Sequence, residues 1–85
     1  MEIIYSSKFA REYKKLPIKI KMKAEEHEKI FRQNPHDPKL NAHKLRGRLN
    51  EFWSFSISNK YRIIFEFGNK DTIYFHSVGN HDIYQ

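Results

Sequence analysis

The sequence predicts an α+β domain. An N-terminal strand and a two-helix hairpin precede a small antiparallel sheet, with the helices packed on one sheet face (β-α-α-β-β-β). Two observations carry this expectation. Apolar residues near the N-terminus repeat at helical spacing, at Phe9, Tyr13 and Leu16. From Trp53 onward the period falls to two, first in Trp53, Phe55 and Ile57, then in Tyr61, Ile63, Phe65 and Phe67.

Glu2 to Tyr5 is short and β-rich. Ser6 or Ser7 suits the cap of the first helix, because a serine hydroxyl accepts from the free N–H groups of a first turn. Pro17 ends that helix and can open the next. Residues 18–33 carry two patterns. Ile18, Ile20 and Met22 alternate with lysines, as in a strand. Ile20, Ala24, His27 and Phe31 share one face of a helix, and Ala, Glu, Lys and Met favour helix, so the helical reading is preferred. Asn34-Pro35-His36-Asp37-Pro38 stops it, and Lys39 to Asn50 has no clean period. Asn59-Lys60 and Gly68-Asn69-Lys70-Asp71 read as turns between three strands, the last from Thr72 to Val78. Gly79-Asn80 is another turn, and His81 to Gln85 is a tail. Trp53, Phe55, Ile57, Tyr61, Ile63 and Phe65 then pack under the helices, while Ser54, Ser56, Arg62 and Glu66 face away as a polar, cationic surface.

A chain of 85 residues reads as one domain spanning 1–85. With no cysteine, disulfide scaffolds, cysteine nucleophiles and thiolate metal sites are excluded. No apolar run is long enough to span a membrane and no secretory signal is visible, so a cytoplasmic location is expected. The net charge of +6 favours a polyanionic partner. Nearly all the excess falls between Lys39 and Arg62, where Lys39, Lys44, Arg46, Arg48, Lys60 and Arg62 face the single acid Glu51. A run of charge is also what an ordinary solvated surface carries.

Two stretches narrow the choice. One is HKLRGRLNEFWSFSISNKYRIIFEF, from His43 to Phe67, and the other is HSVGNHDIY, from His76 to Tyr84. A leucine–glycine element before an aromatic-Trp-Ser strand, then Tyr-Arg-Ile-Ile-Phe, then Val-Gly-x-His-Asp-x-Tyr, resembles the RelE/ParE superfamily of toxin–antitoxin toxins. The resemblance covers essentially the whole chain. It implies a toxin neutralised by a cognate protein antitoxin with an acidic or amphipathic segment. In the RelE, YoeB and YafQ branches it implies an endoribonuclease that cuts mRNA, in many members at the A site of the 70S ribosome. The ParE branch shares the fold but poisons DNA gyrase, so fold alone does not decide the activity.

Metal-free RNA cleavage needs a base for the 2′-OH, a cation for the charged phosphorane and an acid for the leaving 5′-oxygen. Histidine suits both proton roles. By resemblance His81, in Gly-Asn-His-Asp-Ile-Tyr, is the expected general acid, with Asp82 beside it. Arg62 matches the arginine of Tyr-Arg-Ile-Ile-Phe and can hold the scissile phosphate as a fork. His43 matches a histidine of the YafQ-like branch and could serve as base, but Ser56 stands near the place of that branch's second histidine. The acid and base assignment between His43 and His81 stays open. The glutamate base of the YoeB-like branch has no counterpart upstream of Trp53, and Glu51 replaces the glycine usual at its own position. Tyr84 could stack on a base, donate a proton or simply close the core edge. Lys44, Arg46, Arg48 and Lys60 are expected phosphate contacts.

Trp53 is assigned to the core, His27 to the core edge and His36 to the proline-rich turn, while His76 can line the polar face without an assigned role. The spacing of the five histidines fits no standard ligand set, so no metal and no cofactor are expected. Two readings compete with the nuclease: a gyrase poison that does not cut RNA, and an inactive RNA-binding relative.

Overall fold

The computed structural model describes residues 1–47 and 51–80. Glu2–Tyr5 form strand β1, and Ser6 turns the chain into helix α1, Ser7–Lys14. Ser6 does two things with one hydroxyl. Its Oγ accepts from the Phe9 N–H at 2.9 Å, capping the helix, and donates to the His76 carbonyl at 2.8 Å. Helix α2 runs from Ile18 to Gln33 with Pro17 as its N-cap, so the helical pattern prevails over the alternating lysines. Ala24 and Phe31 are buried, Ile20 and His27 are half-buried, and Ile18 and Met22 face solvent. Asp37 then caps a single 3-10 turn, Pro38–Leu40, which drives Leu40 into the core.

Four strands follow: β2 (His43–Lys44), β3 (Trp53–Ser56), β4 (Arg62–Phe67) and β5 (Thr72–Gly79). The described sheet has the order β1-β5-β4-β3-β2. β3 to β5 pair antiparallel, as expected, and β2 pairs antiparallel with β3. The structure adds two features. β1 joins the sheet edge parallel to β5, and the basic segment supplies the extra strand β2.

The core lies between the helices and one sheet face. Phe31 of α2 is fully buried among strand aromatics, with its ring centroid 4.9 Å from those of Phe55 and Phe65 and 5.5 Å from that of Phe75. Such ring pairs add about 0.5–1.5 kcal/mol each beyond the area they bury. Trp53 sits at the rim, half-buried between the rings of His36 and Phe67. His27 is at the core edge, where its Nδ1 donates to the Ser56 carbonyl at 2.6 Å.

β1 is half as long as β5, so part of the β5 edge lacks a strand neighbour. Helix α1 covers it. Oε1 of Glu12 accepts from Ser77 Oγ at 2.7 Å and from the Val78 N–H at 3.1 Å. At this same end of β1, the Tyr5 hydroxyl donates to Glu28 of α2 at 2.8 Å. Burial, and then the Glu28 carboxylate it donates to, raise the Tyr5 phenol above its ordinary value, which keeps the donor protonated.

The turns follow local chemistry. Ser58 rather than a glycine closes the first, with its Oγ accepting from the N–H groups of Lys60 and Tyr61. In the second, Lys70 and Asp71 take the positive φ values and Gly68 does not.

Candidate functional site

Two of the candidate residues, Arg62 and His43, share the sheet face away from the helices. Residues paired across strands share a face, so register decides which side each one takes. Arg62 pairs with Ser56 on one side and Gly79 on the other. It is half-buried, and its guanidinium donates to Ser56 Oγ at 2.6 Å. One N–H of five is thereby fixed, and the others remain to grip an anion.

His43 pairs with Ser54, so it lies on the same face as Arg62 but at the outer strand. Its register position is two strands across and two residues along from Arg62, a Cα separation of roughly 12 Å. The His43 Nδ1 is 3.2 Å from the Asn41 carbonyl. A carbonyl only accepts, so this bond puts the hydrogen on Nδ1. The neutral ring then carries its lone pair on Nε2, the form a general base needs.

The basic residues do not all join this face. Lys44 pairs with Trp53 and so takes the opposite side of β2. Arg46 is exposed just beyond that strand, and Lys60 is exposed in the β3–β4 turn. His81, Tyr84 and Arg48 lie outside the described residues. Ser54 corrects the expected polar surface. It does face away from the helices, yet it is fully buried, as is its register partner Ile64 at 5% exposure. The middle of this face is therefore closed and part apolar.

Sequence reasoning left one cluster on the face without a role. A register shift at Ile64/Phe65 inserts His76 as an extra residue in β5. Its Nε2 lies 3.0 Å from Glu66 Oε1, and the Phe52 ring meets it edge-on at 4.7 Å. Tyr74, in register with Glu66, stands beside it with ring centroids 6.5 Å apart. Alternation around the buried Ile73 and Phe75 is the signal that puts Tyr74 and His76 on the outer face.

The other side of the molecule carries a groove of about 800 Å³ between α1 and α2. Phe9, Tyr13, Ala24 and Ile63 line it along with the charged Lys14, Glu25, Glu28, Lys29 and Arg32. Among the described residues no group of three His, Asp or Glu could hold a metal ion, and no helix is long and apolar enough to cross a membrane.

No protein-family model and no curated protein matches the sequence. Solved structures do match the fold. A YoeB/ParE toxin from Agrobacterium tumefaciens superposes with a TM-score of 0.80 at 14% identity, over 95% of this chain and 99% of that one. YafQ from E. coli gives 0.80 at 17% identity, over 98% and 96%. The toxin–antitoxin complex RelBE2 from Mycobacterium tuberculosis gives 0.78 at 18% identity, over 94% and 96%. The chain shares its fold with these toxin structures. At these identities the likeness concerns the path of the backbone, and the chemistry has to be argued from this chain's own side chains.

Proposed function

We propose that this chain is the toxin of a toxin–antitoxin pair and a metal-independent endoribonuclease that cleaves ribosome-bound mRNA, so stopping translation. The observation that carries the reading is the setting of Arg62. It is anchored by Ser56 on the helix-free face, in register with Gly79. Arg62 is thereby a fixed cation at the start of β4, and His81, two residues after Gly79 in the sequence, is the proton carrier proposed to act with it. The fold shared with known toxins supports the same reading.

In this mechanism His43 or His81 takes the proton of a ribose 2′-OH. The 2′-oxygen attacks the adjacent phosphorus while Arg62 stabilises the charge that builds on the non-bridging oxygens. The other histidine gives a proton to the departing 5′-oxygen. One P–O bond forms and one breaks, leaving a 2′,3′-cyclic phosphate and a 5′-OH. Tyr84 is a further candidate for stacking or proton donation. Arg46, Arg48, Lys60 and, from the strand's other side, Lys44 add phosphate affinity without choosing sequence.

The antitoxin is a protein partner whose amphipathic segment wraps the helices or covers the basic face. The groove between α1 and α2, apolar within and charged around it, supports the first of these.

The test is 5′-end mapping of one mRNA, free and ribosome-bound, after exposure to purified protein. New 5′-OH ends only on ribosome-bound RNA are expected. Ends on both RNAs would make it a free ribonuclease. A gyrase poison is the second reading, because a YoeB/ParE toxin shares the fold. Inhibited supercoiling with intact RNA would establish it, and RNA binding without either activity would indicate an inactive relative.

A further inference from the structure

We infer that Tyr74, backed by His76 and Phe52, is a stacking platform for an unpaired nucleobase of the bound RNA. This deepens the nuclease reading and rests on it, since it takes the helix-free face as the RNA face.

Tyr74 is 37% exposed on the outer face of β5, close to the β4–β5 turn, although a large ring at a strand position ordinarily gains by burial. Its surroundings hold it in place. A Cβ at Gly68 would lie 2.5 Å from the Tyr74 ring, so the ring rests where only glycine leaves room. On its other flank His76 is tilted only 30° from it. His76 is itself fixed by Glu66 at 3.0 Å and by the edge-on Phe52 ring. A ring held this way loses little freedom when a base stacks on it, which is what a binding platform requires.

The ligand class follows from the neighbouring charge. Glu66, the register partner of Tyr74, stands four residues along β4 from Arg62. The Cα atoms of Tyr74 and Arg62 are thus separated by roughly 14 Å. A short run of extended single-stranded RNA reaches from a phosphate on Arg62 to a base on Tyr74. Stacking of this kind is indifferent to sequence, because every base has a π-face.

The experiment compares a short single-stranded 2′-O-methyl RNA, which resists cleavage, with an abasic oligonucleotide of the same length and charge. Binding is read by fluorescence anisotropy at fixed salt. Tyr74→Ala should weaken the base-bearing RNA by roughly 5- to 150-fold and leave the abasic strand unchanged. Tyr74→Phe keeps the ring and should bind like the wild type. Gly68→Ala leaves Tyr74 in the chain but displaces its ring, and should reproduce much of the loss should Tyr74→Ala prove poorly folded. Equal losses for both oligonucleotides, or none for either, overturn the platform while leaving the RNA face intact. A wild-type protein that binds neither strand overturns the platform, and the end mapping described above then decides the reading of the face independently.

Discussion

Arg62 spends one N–H on Ser56 and keeps its fork pointed over the sheet. Lysine carries the same charge without the planar pair of donors. Arg62→Lys should therefore lose cleavage almost as fully as Arg62→Ala, by about 10²-fold or more in single-turnover rate. Wild-type cleavage by the lysine variant would mean that charge alone suffices there. Glu12 is the corresponding residue for stability, since it serves two donors with one oxygen. Glu12→Ala leaves both unsatisfied and should lower stability by about 1–3 kcal/mol in urea unfolding. Glu12→Gln keeps an acceptor and should lose less. Equal losses for the two variants would point to charge instead of hydrogen bonding.

Among the elements, α2 is tied to the core chiefly by Phe31, which touches three strand rings. Phe31→Ala should cost about 3–5 kcal/mol, whereas Ile18→Lys on the exposed flank of the same helix should stay within about 0.5 kcal/mol. Thermal or urea unfolding of the pair checks whether the helix is held by that one face. These elements were legible in the sequence for a common reason. Helix α2 and strands β3 to β5 repeat a period over enough residues to reveal it. β2 has two residues and no period at all, and its pairing appears only once β3 lies beside it. The parallel partner of β1 was hidden because no local pattern names a strand so distant in sequence. At the candidate site, Arg62 and Ser56 were readable as one face from alternation. The burial of Ser54 was not, because alternation gives direction and not cover. Lys44 read as one more basic residue until register assigned it to the opposite side from His43.

For the molecule as a whole, the +6 charge sets how binding responds to salt. Four or five phosphate contacts from the basic residues predict a log–log slope near −3 for single-stranded RNA. Lys44→Ala should flatten it by about 0.7 if that side chain reaches a phosphate, and leave it alone if its opposite facing keeps it away. Titration at several salt concentrations decides this. The topology has a further consequence, one of timing. Ser6, at the end of β1, bonds to His76, which stands 70 residues later. β5 lies between β1 and β4, so the sheet stays split until that late strand has been made. At about 5–20 residues per second, the first strand waits roughly 4–14 s for its neighbour during synthesis. Interrupted chains that stop before β5 lack the strand that joins the sheet, and with it Gly79 beside Arg62. On the proposed activity, a cell making this protein is exposed to it only from copies whose translation has passed β5.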